Sequence, residues 1–560
     1  MASSLRLRFG LLATAAVIGL GGGTAARAAA TATTSGWATT ATQGLTLDRL
    51  AGPVDLGPVA GTDTVTVRVG LAPHDTDALL ALVQAAADPA SPGYGQYLTP
   101  AQYAAQFGPT PAQIAAVTGF LRDSGLNNIV VEPNGLLVSA TGSAAAVSQA
   151  FNTPLERVAV NGVTGFVNTA PAQVPAALGG IVSAVLGLNT IGRMTPQLAL
   201  PSLPLPQYLV SYGPKQFQHI YGADGTVDGG KSTIAIMAEG NMTQVVADLR
   251  TQEAKSGVPV VPVSVVQVGL ASPDVSGADE WDMDTQYSSG MANNLKRLFI
   301  YTTTSLSDSD LALEFSRWAS DGVAQAASAS LGECEAFPYL DGAMTVDDMI
   351  FLEAAAQGQT FFASSGDTGS QCAVLPTNGT PVGAPLVEYP AASPYVVGVG
   401  GTTLFTNPNG NYDTEISWNT GGGGLSQFES APFWQKAANA VLNTTGFRGV
   451  PDIGLDADPN SGASVIVNGT AEGVGGTSLS SPLALGAWAR MLSNNRKLGF
   501  ASLRLYGLYD GSTVVGTYPL GGFHDVTVGN NGLYSATAGY DLNTGLGTPW
   551  VNQMQAALAK

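Results

Sequence analysis

Thr360-Phe361-Phe362-Ala363-Ser364-Ser365-Gly366-Asp367-Thr368-Gly369 is a short apolar run that breaks into a glycine-flanked acidic turn. Just before it, Val346 to Ala356 carries apolar residues at helical spacing, so the local order is helix, buried strand, turn. Similar short apolar runs stand at Thr233 to Met237 and Leu298 to Tyr301. Short apolar runs alternating with helical patterns predict an α/β fold whose parallel sheet is flanked by helices. In such sheets reacting groups gather beyond the carboxyl ends of the strands, and Asp367 stands at one of those ends.

The N-terminal part reads differently. Thr64-Val65-Thr66-Val67-Arg68-Val69 alternates as a half-buried strand, and Asp75 or Asp77 can cap a helix through Leu79, Leu82 and Val83. Thr99 can cap a helix opening on Pro100, Leu136 to Thr141 reads as a strand and Ser143 to Phe151 as a helix. This predicts a small mixed α/β unit. Between the two parts, Leu198 to Tyr208 carries three prolines, which marks an extended, semi-rigid linker.

The chain has 560 residues, 45% hydrophobic and 11% charged, with 70 glycines and a formal net charge of -19. That charge argues against nucleic acid or an anionic membrane as partner. A surface poor in Lys and Arg also gains little positive self-repulsion in acid, so an acidic working environment is compatible with it. Arg6 and Arg8 precede an apolar run from Leu11 to Leu20, and small residues lead to Ala26-Arg27-Ala28. This is a secretory signal pattern over residues 1–28, so the protein is expected to be secreted. The glycines at 19 and 21–23 break the run well short of the ~20 residues that a membrane anchor needs. In an oxidising compartment the only two cysteines, Cys334 and Cys372, read as one disulfide; two separate buried thiols are the alternative.

Chemistry concentrates in two further stretches. In Gly475-Gly476-Thr477-Ser478-Leu479-Ser480-Ser481-Pro482 a serine stands where a loop meets a helix, with Pro482 expected in the first turn. Taken alone, Ser478 reads more readily as a capping residue, and the nucleophile reading needs a base. The three histidines, His74, His219 and His524, lie in no setting that suits a Ser-His-Asp triad, so the base is sought elsewhere. Ala278-Asp279-Glu280-Trp281-Asp282-Met283-Asp284-Thr285-Gln286 places Glu280 and Asp284 on one helical face. They can be a solvated acidic face, but Trp281 and Met283 beside them can keep the pair dry. Two close, dry carboxyls share a proton. Glu280 can then take the Ser478 proton while Asp284 orients it. Asp367 is either a turn-forming aspartate or, protonated, a donor to a developing oxyanion.

These stretches occur in the order Glu280-Trp281-Asp282-Met283-Asp284, Ser365-Gly366-Asp367-Thr368-Gly369, Gly476-Thr477-Ser478-Leu479-Ser480-Ser481-Pro482. In this the chain resembles the sedolisins, the serine-carboxyl peptidases. Tyr389-Pro390-Ala391-Ala392-Ser393-Pro394, Val399-Gly400-Gly401-Thr402 and Pro451-Asp452-Ile453 extend the resemblance, as does Ser91-Pro92-Gly93-Tyr94-Gly95-Gln96-Tyr97-Leu98-Thr99 in the first unit. The resemblance implies a subtilisin-like catalytic fold with Glu280, Asp284 and Ser478 as triad and Asp367 as oxyanion partner. It also implies a signal peptide at 1–28, an activation propeptide at 29–197 that inhibits the enzyme, a linker with the maturation site at 198–208 and the peptidase at 209–560. The implied enzyme is a secreted, monomeric, acid-active endopeptidase or tripeptidyl-type peptidase acting on proteins or peptides. One structural Ca2+ is implied, held by the side chains of Asp525 and Asp541 and the carbonyls of Val526, Thr537 and Gly539. In one respect the chain departs from some members, which carry a further glutamate after the first catalytic strand where Ala238 stands here; Glu239 is offset by one. A non-catalytic secreted binding protein on the same scaffold is the alternative reading.

Overall fold

The computed structural model describes residues 36–45, 53–160, 163–201, 210–377, 380–438, 440–509 and 521–559. The signal pattern at 1–28 and most of the linker at 198–208 lie outside them. Trp37–Lys560 forms one compact unit. Its central sheet runs, in spatial order, Val263–Gln267, Arg297–Thr303, Thr233–Glu239, Ala326–Ala329, Thr360–Ser364 and Val396–Thr406. These neighbours pair in parallel. Ile453–Asp456 adds a parallel partner to the last strand and Tyr412–Ser417 an antiparallel one. Every residue of Ala326–Ala329 and Thr360–Ser364 is buried, because helices cover both faces. That is why these strands read as unbroken apolar runs.

The first unit has its own four-stranded antiparallel sheet, ordered Asn127–Val131, Leu137–Ser143, Thr64–Leu71, Val182–Leu186. Asp75 caps the helix Thr76–Ala87, and Thr99 closes a capping box on Pro100–Gln106. Val67, Val69, Val117, Leu121, Val138 and Phe151 form a core separate from that of the large unit. Polar contacts tie the two parts together: Arg68 pairs with Asp310 at 2.6 Å, Asn134 donates to Glu353 at 2.8 Å and the Tyr97 hydroxyl donates to the Lys497 carbonyl at 2.8 Å.

Two helices position the chemistry. Ala278–Ala292 has no solvent face at all from Glu280 onward, because it packs against Thr477–Asn494, Thr243–Ser256 and the strand Ala463–Val467. Thr477–Asn494 is likewise buried almost throughout. Pro482 is its sixth residue and not, as the sequence predicts, in its first turn. A proline there supplies no N–H to the carbonyl four residues back, which frees the Ser478 carbonyl for a side chain.

Candidate active site

Ser478 is the second residue of the buried helix, whose cap is Gly476, with a φ of 105 that suits glycine. A Cβ on Gly476 would strike both the Gln197 carbonyl and the free carboxylate oxygen of Asp367, so glycine is required for space as well. The Ser478 N–H donates to the Gln197 carbonyl at 3.2 Å. Its hydroxyl donates to the Ser330 carbonyl at 3.3 Å; Glu280 lies near enough for that hydroxyl to favour its ionised form, but both its carboxylate oxygens are buried without a hydrogen-bond partner. A turn of the hydroxyl from the Ser330 carbonyl to Glu280 is what a proton transfer between them needs.

Glu280 and Asp284 expose none of their surface. Burial pushes the Glu280 carboxyl well above its ordinary range, and the neighbouring Asp284 pushes it further. Burial raises Asp284 as well, against the opposing hydrogen bond of Ser330. The two carboxyls therefore give up their protons at higher pH than ordinary carboxyls do, and the ionisation of one opposes that of the other. Ser330 Oγ lies 2.5 Å from Asp284 Oδ1 and 3.1 Å from the Ser478 carbonyl. When Asp284 carries a proton it can donate to Ser330, whose own proton then serves the carbonyl left free by Pro482.

Asp367 Oδ1 accepts from the backbone N–H and the hydroxyl of Thr477, both at 2.8 Å. Its other oxygen is buried without a partner and faces the space beside Gly476 that the Gln197 carbonyl occupies. Burial pushes Asp367 up to about 7, with the Thr477 hydrogen bonds acting in the opposite direction. In acid its free oxygen carries a proton. The carbonyl oxygen that the Ser478 N–H holds and the free Asp367 oxygen border the same space over Gly476, an arrangement that can serve an oxyanion.

That carbonyl belongs to the chain's own first unit. Thr195 and Pro196 pair antiparallel with Gly332 and Leu331, Gln197 N–H donates to the Ser330 carbonyl at 3.2 Å, and Ala199 pairs with Gly475. The segment lies in the cleft as an added strand. Sequence reasoning singled out Glu280, Asp284, Asp367 and Ser478, and all four meet at this point. It missed Ser330, Gln197 and Glu388. Ser330 follows the buried strand Ala326–Ala329, so the same rule that selected Asp367 could have found it.

The remaining predicted residues lie elsewhere. His219 bonds Asp224 and Asn411, His524 stacks on Tyr412, and His74 stacks near Phe107. Cys334 and Cys372 form a disulfide with Cα atoms 5.3 Å apart, joining the strand Leu331–Cys334 to the chain just after Asp367. Glu239 faces Arg193 of the first unit at 3.8 Å. Asp525 accepts from the Gly539 N–H at 3.0 Å, and Asp541 accepts from the Thr537 N–H at 2.8 Å. The two carboxylates thus meet one short turn, Thr537 to Gly539, through its N–H groups.

Residues 51–191 match the pro-kumamolisin activation domain, and residues 271–506 match the subtilase family. The chain is 39% identical over 527 residues to sedolisin of Pseudomonas sp. (strain 101), covering 89% of this chain and 88% of that protein. It is 35% identical to xanthomonalisin of Xanthomonas sp. (strain T-22), over 86% of this chain and 64% of that protein. The solved Pseudomonas sedolisin, a serine-carboxyl proteinase complexed with two molecules of pseudo-iodotyrostatin, superposes with a TM-score of 0.57 at 35% identity. That match covers 62% of this chain and 98% of the solved one.

Proposed function

Because the chain belongs to the sedolisin family of serine-carboxyl peptidases, we propose that it is a secreted precursor of an acid-active peptidase using Ser478, Glu280, Asp284 and Asp367. The observation that carries this reading is the Gln197 carbonyl resting on the Ser478 N–H beside Asp367, with the protonatable pair behind the serine. Glu280 takes the Ser478 proton as Oγ bonds to the substrate carbonyl carbon. Asp367 and the Ser478 N–H hold the negative oxygen. Glu280 then gives its proton to the leaving nitrogen as the C–N bond breaks, leaving an acyl-enzyme, and water repeats the sequence to release the acid. Asp284 positions Glu280 and shares its charge.

The first unit acts as an activation propeptide, 29–197, because its last residues fill the cleft. The segment continues past the third residue before the Ser478 position, with Met194 N–H donating to the Leu306 carbonyl at 3.1 Å. A cleft open at that end favours internal cleavage over removal of tripeptides. Among the described residues no helix is long and apolar enough to cross a membrane. Secretion rests on the signal pattern at 1–28.

Asp367 provides the test of the acid mechanism. Asp367→Ala is expected to lower kcat by about 100–1,000-fold at pH 4, measured on the matured enzyme with a peptide substrate. In the unaltered enzyme activity should fall as pH rises through about 7, where Asp367 loses the proton it donates and the ionised carboxylate repels the oxyanion. Equal rates in Asp367→Ala, or a profile flat from about pH 3 to 8, would sink the mechanism.

We further propose one structural calcium ion on Asp525, Asp541 and the carbonyls of Val526, Thr537 and Gly539. When bound it neutralises the exposed Asp525 and the buried Asp541 carboxylates and ties the turn together. Chelation is expected to lower Tm by a few degrees, reversed by added Ca2+ and absent in Asp541→Ala. A chelator-insensitive Tm in the unaltered protein contradicts the site.

A further inference from the structure

The strand that enters the cleft also displays how a side chain is read there. Gln197 N–H donates to the Ser330 carbonyl and its own carbonyl accepts from Ser478 N–H, each at 3.2 Å. Two residues on, Ala199 N–H donates to the Gly475 carbonyl at 3.0 Å and Gly475 N–H donates back at 2.8 Å. Both flanks are held, so the Gln197–Leu198 bond is the one set over Ser478. The Gln197 side chain turns into the protein, and only 7% of the residue is exposed. Its Nε2 donates to Glu388 Oε2 at 2.9 Å, with the Thr195 and Gly332 carbonyls at 3.3 and 3.4 Å.

Glu388 is built into the floor of this pocket. It lies on the strand Glu388–Tyr389, in register with Cys334 of Leu331–Cys334, the same strand that pairs with the incoming segment. A Cβ at Gly332 would collide with its carboxyl group, and one at Gly366 would come within 2.9 Å of it, so two glycines make room for this one side chain. Burial, with the nearby Asp367 adding to it, pushes the Glu388 carboxyl up to about 8. In acid it is a neutral group with a carbonyl to accept from a carboxamide and a hydroxyl to donate.

On the peptidase reading above, we propose that Glu388 selects the side chain immediately before the cleaved bond, favouring glutamine over an apolar residue of similar size. In the precursor the first bond cut is then Gln197–Leu198, the entry to the 198–208 linker. Leucine in the same pocket would leave the polar atoms of Glu388 dry and without a partner. That penalty corresponds to a roughly 10–100-fold loss in kcat/KM.

The experiment has two readouts. The precursor is acidified and the first new N-terminus sequenced, with Leu198 expected. The matured enzyme is then assayed on paired peptides that differ only in Gln or Leu before the cleaved bond, with glutamine expected to exceed leucine by at least about 10-fold. Glu388→Leu should reverse that ratio, and Glu388→Gln should keep it because a carboxamide accepts the same hydrogen bond. In the precursor, Gln197→Leu should slow self-cleavage and recover speed when combined with Glu388→Leu. A first N-terminus other than Leu198, a ratio near one, or a ratio that Glu388→Leu leaves untouched overturns the proposal. If Glu388→Leu does not fold, the unaltered enzyme's ratio decides alone. Cleavage of no peptide whatever overturns the peptidase reading itself, a result distinct from cleavage without preference.

Discussion

A precursor carrying Ser478→Ala is expected to stay full length in acid and, after its propeptide is removed by added unaltered enzyme, to hydrolyse peptides roughly 10^6-fold more slowly in kcat. The magnitude is that of deleting a nucleophile whose partners act only through it. Glu280 has no other proton to move in the cleft, and Asp284 works through Glu280, so neither substitutes for the lost hydroxyl. Residual turnover would come from the oxyanion site and substrate alignment. The fold should survive: the lost hydroxyl bonds the Ser330 carbonyl, which retains the Gln197 N–H. Intact mass after acid incubation, Tm and peptide turnover check this together. Turnover within about tenfold of the unaltered protein, with an unchanged Tm, would mean that Ser478 is not the nucleophile.

The second large effect is on stability, which is expected to be greatest near pH 4 and to collapse toward pH 8. Burial pushes Asp367 and Glu335 up to about 7 and Glu353 and Glu388 up to about 8, and it raises Glu314 and Asp347 well above their ordinary values. An unfolded chain loses these protons near pH 4 to 4.5. Between there and about pH 8 the native state holds more protons than the unfolded one, so stability falls with each unit of pH. It is fully present below about pH 4 and is lost as pH rises through the native values. One unit is about 1.4 kcal/mol for each group. Several such groups acting in the same direction are a large effect beside the ~5–15 kcal/mol by which proteins are stable. Calorimetry should find Tm lower by about 10 °C or more at pH 8 than at pH 4. A Tm that is level or rises over that range contradicts the burial of these acids as neutral groups.

Glu353 carries the effect to the boundary between the two parts of the chain. Its Oε2 accepts from Asn134 of the first unit, a bond that favours the ionised carboxylate, so the cost of its ionisation lies in burying the charge and falls on precursor and enzyme alike. The enzyme and its precursor should therefore share the preference for acid. Activity adds a further loss near neutrality, when Asp367 gives up its donor proton.

Much of this was legible in the chain. Thr360-Phe361-Phe362-Ala363 reads as a buried strand because both faces of the parallel sheet are covered, and apolar continuity is the signature of that burial. Asp75 and Thr99 announce their helices because caps are local. Pro482 was misplaced for the complementary reason: local rules exclude proline from a helix interior, whereas here the side chain of Ser330 takes over the freed Ser478 carbonyl. Ser330 and Glu388 escaped notice because a lone serine and a lone glutamate carry no spacing signal.

By itself the sequence determined most element types and the family, and it named four residues proposed for the chemistry, since each rests on short-range pattern or on motif order. It did not decide whether Glu280 and Asp284 were dry, because four-residue spacing makes a helical face and says nothing about what covers it. Only the packing of Ala278–Ala292 against Thr477–Asn494 removes water from the pair. Only the tertiary structure lays Gln197 on Ser478, next to Asp367 and over Glu388. Those contacts join residues far apart in the chain, and long-range burial, which sets both their meeting and their protonation, is a property of the folded whole.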